Sequence, residues 1–323
     1  MSTKKILIVI LIVAGGLGIL YLTQWYRDYR QSNFSIKSSN ITAIELIKGT
    51  DTLRLTNSEG IWLINGFYIA DSATVYSFID LLQNINTIAP ATLKTGDNLL
   101  LLLQNKAIRI CIYNKKSLKK EYRIASVAEF NYKPIALNES SEIPYYVESP
   151  IASTDLIEYF SVNPDSWLAS KLFPESLEEI ASIKVDFPNT DKGYTIKFMV
   201  NDIVLFSANG NRLTNINIAN ISNLYHSFSD LKLRYPTKFE ENSAKPENLI
   251  AVLQVQMANG KSYEYNIYRI VGEGYTNILG QKLGFNPNCI LIKLAENRFL
   301  VGTYLHFHYV LSPIDEFVNN YEK

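Results

Sequence analysis

The stretch ITAIEL at residues 41–46 recurs with small changes as IASIKV at residues 180–185. In both of them, apolar and polar side chains alternate, which is typical of a β-strand with one face turned to a core. The sequence therefore predicts a strand of the same character near the start of each half of the chain.

Four further pairs of segments repeat in the same order along the chain. The partners are TLRL at 52–55 with TIKF at 195–198, YSFIDLL at 76–82 with YHSFSDL at 225–231, NLLLLLQ at 98–104 with NLIAVLQ at 248–254, and YRIA at 122–125 with YRIV at 268–271. The spacing between partners stays nearly constant, so chance explains the series poorly. An internal duplication is the economical interpretation, and the chain is predicted to hold two copies of one unit.

Each copy is predicted to combine several short strands with one helix. In the first copy, Asp71 or Ser72 can cap a helix over residues 71–85, whose buried stripe at helical spacing is Val75, Phe78, Ile79 and Leu82. Strands are predicted over residues 41–47, 52–56, 60–64 and 143–149, with a hairpin over 106–126. In the second copy, a helix is predicted over 216–231, and strands over 249–257, 262–271, 289–294 and 299–310.

Strands outnumber helices, and no segment shows the regular alternation of strand and helix that a doubly wound sheet requires. The predicted fold class is therefore α+β, with two tandem pseudo-repeats that each form a mainly antiparallel sheet with a helix packed on one face. The predicted divisions are a membrane anchor at 1–26, a polar stalk at 27–40, the first repeat at 41–150, a connecting segment at 151–179 and the second repeat at 180–323.

The amino terminus predicts a membrane anchor. ILIVILIVAGGLGILYL, residues 6–22, holds no charged side chain, and as a helix it is about 25 Å long, which is the short end of what spans a bilayer. Tyr21, Trp25 and Tyr26 extend the run as an interfacial aromatic belt. A cleaved signal peptide is the rival interpretation, but bulky residues follow the apolar run where cleavage requires small ones. We therefore expect a single-pass signal anchor that stays uncleaved.

The predicted anchor also suggests where the rest of the chain lies. Lys4 and Lys5 precede the span, and Arg27 and Arg30 follow it, so the charge bias is slight. A very short tail followed by a large folded region favours export of that region. We expect a bacterial inner-membrane protein with its amino terminus in the cytoplasm and an extracytoplasmic, periplasmic domain.

The composition excludes several classes of protein. Lysine plus arginine and aspartate plus glutamate both number 31, so the chain lacks the basic excess of a nucleic-acid binder. Only Cys111 and Cys289 are present, which excludes a disulfide-dense scaffold and any four-cysteine metal site. In an oxidising compartment these two cysteines either pair or remain buried thiols, and the sequence leaves both open.

Two longer stretches resemble a known family. GIWLINGFYIADSATVYSFIDLLQNINTI, residues 60–88, joins a Gly-x-Trp strand to an Ala-Asp-Ser helix start, and WLASKLFPESLEEIASIKVDF spans residues 167–187. With the anchor and the duplication, they resemble the bacterial family called domain of unknown function 4340, over about residues 41–310. The second half departs most, since no tryptophan follows residue 185. The resemblance implies a membrane-anchored extracytoplasmic protein, in some members associated with gliding-type ABC transport systems, and it carries over no catalytic residue.

The histidines are the main candidates for chemistry. YLHFHYV places His306 and His308 two residues apart on a predicted strand, hence on one face, where they could bind zinc with Asp315 or Glu316. A structural zinc site needs four ligands, and a half-buried aromatic surface is the more ordinary interpretation. The sequence shows no nucleophile elbow, phosphate loop or His-Glu-x-x-His motif. We therefore predict no cofactor, no catalytic residue and no metal, with His306 and His308 as weak metal candidates.

These observations favour a non-catalytic binding or scaffold subunit of a cell-envelope complex related to transport or gliding, with protein partners. The first alternative is an extracytoplasmic module that binds a small ligand or polymer between its two repeats, and the second is an enzyme with a scattered site. A flat, exposed apolar patch would favour the scaffold, and a deep polar cleft would favour the ligand-binding module.

Overall fold

The computed structural model of the chain describes residues 15–21, 23, 33–37, 40–91, 99–126, 133–139, 141, 143–153, 155–188, 190–200, 202–229 and 231–319. Two compact units divide the chain, Met1–Trp167 and Leu168–Lys323, and the division falls inside the predicted connecting segment. Within the predicted anchor, residues 15–21 are helical, and the rest of the anchor lies almost wholly outside the described residues. Among the residues described, no helix combines the length and the apolar character needed to cross a bilayer.

The first unit contains a nine-stranded sheet in which every neighbouring pair is antiparallel. The strand order is β4-β3-β2-β1-β6-β7-β8-β9-β5. Its strands are β1 Ala43–Lys48, β2 Asp51–Ser58, β3 Ile61–Ile64, β4 Tyr68–Ile69, β5 Asn86–Pro90, β6 Ile108–Asn114, β7 Ser117–Ser126, β8 Pro134–Asn138 and β9 Tyr145–Glu148.

The central strand β1 separates an apolar face of this sheet from a polar one. Ile44 and Leu46 are fully buried, and they lie opposite apolar partners on both β2 and β6. Glu45 points to the other face, where its carboxylate lies 3.0 Å from the Arg54 guanidinium and accepts a 3.0 Å hydrogen bond from the Tyr113 hydroxyl. The apolar residues Ile44 and Leu46 of ITAIEL thus point to the core, and its polar residue Glu45 points to the opposite face of the sheet.

Two helices accompany the first sheet. Helix α1, Ser72–Gln83, begins where the Asp71 carboxylate accepts the Thr74 amide at 3.1 Å, as the sequence predicts. It buries Val75, Phe78, Leu81 and Leu82. Helix α2, Leu99–Lys106, contributes Leu103 to a smaller cluster with Ala91, Ala107, Ala125, Ile135 and Leu137.

The second unit contains an eight-stranded sheet, again antiparallel throughout. Its order is β13-β12-β11-β10-β14-β15-β16-β17. The strands are β10 Ile180–Asp186, β11 Tyr194–Met199, β12 Asp202–Ser207, β13 Arg212–Leu213, β14 Leu249–Met257, β15 Ser262–Thr276, β16 Lys282–Ala295 and β17 Arg298–Thr303. Its helices are α3, Ile218–Ser227, which is shorter than predicted, and α4, Lys238–Glu241.

Short 3₁₀ helices occur between and after these elements, at Leu156–Tyr159, Pro164–Trp167, Leu177–Glu179, Pro246–Asn248 and Ile314–Phe317. The two units share one strand order, because β4-β3-β2-β1-β6-β7-β8-β9 corresponds position by position to all eight strands of the second sheet. Strand β5 is the addition of the first unit. The structure confirms the α+β class and the two mainly antiparallel sheets.

One of the five repeated pairs does not match in structure. NLIAVLQ forms strand β14, whereas the described part of NLLLLLQ forms helix α2, and the sheet neighbour of β1 is instead β6. The β-branched Ile250, Val252 and Val255 favour a strand, while an unbroken leucine run is a good helix former. The prediction that these heptads are equivalent is therefore wrong.

The buried face of β1 predicts an asymmetric response to mutation. Leu46→Ala removes a fully buried side chain, so we expect it to lower the free energy of unfolding by roughly 2–5 kcal/mol. Ile47→Ala lies on the opposite, half-exposed face and should cost less than about 1.5 kcal/mol. Urea unfolding followed by circular dichroism measures both, and equal losses would contradict the assignment of faces.

Candidate functional site

His306 and His308, the weak metal candidates, lie in a turn rather than on a strand. Strand β17 ends at Thr303, and the Phe307 amide then donates to the Thr303 carbonyl at 3.3 Å. Phe307 and Val310, three residues apart, are both fully buried, which is the spacing of a helical turn and not of a strand. The predicted strand over 299–310 is therefore wrong beyond Thr303.

The loss of the strand removes the argument that both imidazoles share one face. His306 Nδ1 is hydrogen-bonded to the Thr303 hydroxyl, and the exposed His308 ring lies edge-on to Tyr309 with centroids 5.1 Å apart. The Asp315 carboxylate is 2.9 Å from the Lys192 ammonium. Within the described part of the chain, no three His, Cys, Asp or Glu side chains are grouped so as to hold a metal ion.

Both cysteines are free thiols. Cys289 is half-buried on β16, and Cys111 is buried on β6, with its Sγ 3.8 Å from Glu121 Oε1. Burial, and next the negative charge of Glu121, raise the pKa of the Cys111 thiol to about 11. The thiolate is the reactive form of cysteine, so Cys111 is an inert core residue.

Thiol chemistry tests this assignment. In urea without reductant, we expect Ellman's reagent to count two thiols per chain. In the folded protein at about pH 8, iodoacetamide should leave Cys111 unmodified, because the side chain is buried and its pKa lies far above that pH. Mass spectrometry of the labelled peptides measures the result, and rapid native labelling of Cys111 would contradict it.

The second unit carries a long hairpin arm, residues 271–287. Strand β14 pairs with β15 only as far as Tyr268, and strand β17 pairs with β16 only as far as Cys289. Strands β15 and β16 therefore continue beyond their neighbours. Past these points the ladder joins β15 to β16 at Val271↔Phe285, Tyr275↔Leu283 and Thr276↔Lys282. The arm is therefore a two-stranded extension of the sheet.

Asn277 shapes the tip of the arm. Its carboxamide oxygen accepts the amides of Leu279 and Gln281, each at 3.0 Å, and its carboxamide nitrogen donates to Gln281 Oε1 at 2.7 Å. Gly280 takes φ +76°, a backbone conformation that other residues rarely adopt, and completes the reversal. The tip is thus a fixed turn held by side-chain hydrogen bonds.

This turn displays two aliphatic side chains to solvent. Ile278 is fully exposed and Leu279 is 77% exposed, next to each other at the end of the arm. Single exposed apolar side chains are ordinary, but an adjacent pair on a protruding, hydrogen-bonded turn is suited to insertion into a pocket of another molecule. The arm carries one acidic and one basic residue, Glu273 and Lys282, so it has no net charge.

Helix α4 braces the base of the arm. The Phe239 ring lies so close to Gly272 that a Cβ there would be 2.7 Å from the ring, and the Val271 amide donates to the Ser243 hydroxyl at 3.1 Å. The buried Glu240 holds α4 through an ion pair in which Arg234 Nη1 donates at 2.9 Å. Arg234 also pairs with Val301 of β17 through its backbone, which fixes the brace to the sheet edge.

A cavity of about 450 Å³ lies beside this base and carries two cations. Lys192, Arg269 and Tyr304 line it, together with apolar side chains that include Phe187. The Arg269 guanidinium sits 4.7 Å from the centre of the Phe285 ring, which belongs to the arm. Burial raises the pKa of the Tyr304 phenol, and a hydrogen bond with Arg269 opposes that rise. Because Lys192 is paired with Asp315, the Arg269 side of the lining is the part that suits a small organic anion.

The ion pair under the arm predicts a pH-dependent contribution to stability. The hydrogen bond from Arg234, against the opposing effect of burial, lowers the pKa of the Glu240 carboxyl. Its contribution is therefore complete above the unfolded pKa of about 4.3 and is lost as the pH falls through the folded pKa. We expect Glu240→Gln to lower the free energy of unfolding by about 1–3 kcal/mol at neutral pH. The loss should lie near the lower end of this range, because Arg234 is partly exposed to solvent.

Urea titrations at several pH values measure this contribution. The difference between the wild type and Glu240→Gln should shrink in acid. The neighbouring Glu241 is exposed, so Glu241→Gln serves as the matched control, with an expected effect within about 0.5 kcal/mol. A Glu240→Gln effect that stays constant down to strongly acidic pH would contradict the role of the ion pair.

The arm was not found by sequence reasoning, which placed strands over 262–271 and 289–294 only. Gly272 and Gly274 interrupt the alternation of apolar side chains just where strand β15 leaves the sheet. The sequence pattern of a strand therefore ends there, although β15 remains paired with β16. One sequence signal could have indicated the hairpin. Within residues 271–287, bulky residues flank an Asn-x-x-Gly turn on both sides.

Comparisons of the chain with protein-family models, with curated proteins and with solved structures find no match. The resemblance to the domain of unknown function 4340 family therefore stays a prediction.

Proposed function

We propose that the protein is a membrane-anchored, extracytoplasmic, non-catalytic binding or scaffold subunit of a cell-envelope complex related to transport or gliding. The observation that carries this proposal is the arm, a braced hairpin that presents Ile278 and Leu279 to solvent on a turn fixed by Asn277. Preorganised aliphatic anchors of this kind bind well because little conformational entropy is lost on contact.

The partner of the arm is a protein with an apolar pocket rather than a lipid surface. Binding to an anionic membrane draws on an excess of lysine and arginine, and Glu273 balances Lys282 in the arm. Two adjacent aliphatic side chains also match the size of a pocket between side chains of a folded partner, where a few anchors supply most of the binding energy.

The proposal includes the anchor and the duplication. Residues 1–26 hold the chain in the inner membrane with the amino terminus in the cytoplasm, and this rests on the uncharged run at 6–22. The two units are tandem pseudo-repeats of one ancestral unit. The shared order of eight strands supports that origin, as do three of the five repeated sequence pairs, which fall on corresponding strands.

A second candidate function is the binding of a small ligand. It resembles the predicted alternative of an extracytoplasmic ligand-binding module, except that the alternative placed the ligand between the two repeats. The observation that favours it is the cavity lined by Lys192, Arg269 and Tyr304, which lies inside the second unit. Arg269 beside Tyr304 and apolar walls suits the carboxylate of a small organic ligand, whereas Lys192 is already paired with Asp315. The two functions are compatible, because Arg269 also contacts the arm through Phe285.

Site-specific photo-crosslinking in native membranes tests the role of the arm. A photo-reactive amino acid replaces Ile278 in one variant and Val200 in another. Val200 is the matched control because it is also a fully exposed aliphatic residue in a turn of the second unit. We expect one transport or secretion subunit to crosslink reproducibly at position 278 and not at position 200.

A loss-of-contact variant completes this test. The double substitution Ile278→Ser with Leu279→Ser should reduce recovery of that partner about tenfold or more, while Val200→Ser recovers it as the wild type does. Replacing residues 6–22 with an unrelated apolar span shows whether the span or the folded region makes the contact. Equal crosslinking at both positions, or full recovery by the double variant, would overturn the proposal.

A further inference from the structure

The first unit contains a cavity with a volume of about 630 Å³. It lies where helix α1 crosses the end of the sheet, between the segment before β1 and the turn that joins β6 to β7. Ligand pockets in proteins commonly measure roughly 300–1,000 Å³, so this volume accommodates one or two sugar-sized rings.

The walls of the cavity are fixed before any ligand arrives. Thr42 ties two of them together, because its amide donates to the Tyr113 carbonyl at 2.9 Å and its hydroxyl accepts the Lys115 amide at 2.5 Å. The Asn57 amide donates to the Thr42 carbonyl at 2.8 Å, which adds the end of β2 to the same frame. A pocket built this way loses little entropy when it binds.

The polar part of the lining is dominated by side-chain amides. Asn40, Gln83 and Asn114 each carry one hydrogen-bond acceptor and two donors, and Asp80 adds a carboxylate. A hydroxyl group also both donates and accepts, so this set complements a ligand rich in hydroxyls. The charges of Asp80 and Lys115 balance one another, which disfavours phosphates and other strongly charged ligands.

The aromatic part of the lining offers an apolar platform. Tyr76 is 53% exposed and meets Trp62 edge-on, with ring centroids 6.4 Å apart. A half-exposed phenol ring held by a second aromatic ring can stack against the C–H face of a sugar. The Trp62 indole nitrogen is buried and has no hydrogen-bond partner among the described residues, which is an uncommon state for a buried donor.

We propose that this cavity binds a neutral, hydroxyl-rich ligand, namely a saccharide unit, through Tyr76 and Asn114. The site lies in the first unit and is independent of the arm, which belongs to the second. It adds to the proposed function a carbohydrate contact, alongside the protein contact of the arm. Failure of either proposal leaves the other standing.

Isothermal titration of the full-length chain tests the proposal. The protein is kept in a detergent without a sugar headgroup, and the probes are maltotriose, mannotriose and triacetylchitotriose, with trigalacturonate as the charged comparison. We expect at least one neutral trisaccharide to bind with a Kd below about 10 mM, and the charged one to bind more weakly. No binding of any neutral probe at that concentration would overturn the proposal.

Matched variants place the binding in the cavity. Tyr76→Ala and Asn114→Ala should each weaken binding about tenfold, whereas Tyr76→Phe, which keeps the ring, should bind like the wild type. Phe67 is 52% exposed elsewhere in the same unit, so Phe67→Ala is the control for loss of an exposed ring. Circular dichroism verifies that each variant is folded. Equal binding by Tyr76→Ala and wild type would contradict the site.

Discussion

In each unit, the alternation of apolar and polar side chains along one central strand determines which face of the sheet is buried. In the first unit, Ile44 and Leu46 are fully buried between the apolar faces of β2 and β6. In the second, Ile183 and Val185 take the same role on β10, between β11 and β14. Because side chains on a strand alternate, this choice of face fixes the face of every neighbouring strand.

The features that can act on other molecules lie where this constraint ends. The arm begins where β15 and β16 outrun their neighbours, so its side chains have no core to fill and its tip is free to present Ile278 and Leu279. The cavity of the first unit lies at the end of the sheet, between helix α1, the segment before β1 and the turn after β6. In both places the core holds the backbone in position, and the exposed side chains are available to contact another molecule.

The sequence predicts the repeated core well, because buried periodicity and a helix cap are local signals. The Asp71 cap and the strands that begin each unit are found where the pattern places them. Prediction fails in two other places. The described part of NLLLLLQ forms a helix, because a leucine run favours a helix and the β-branched residues of NLIAVLQ favour a strand. Residues 304–310 form a turn that buries Phe307 and Val310, in place of the predicted histidine strand. The arm and the amide-lined cavity are assembled from distant segments, which no local pattern reveals.

Hydrogen–deuterium exchange of the full-length chain, alone and in its native membrane assembly, tests whether the arm enters a partner. The proposed role of the protein as a binding subunit requires this contact. It predicts that the amides of residues 277–281 exchange more slowly in the assembly, while the exposed turn around Val200 exchanges at the same rate in both states. Unchanged exchange at the tip, with protection gained elsewhere in the chain, would contradict it.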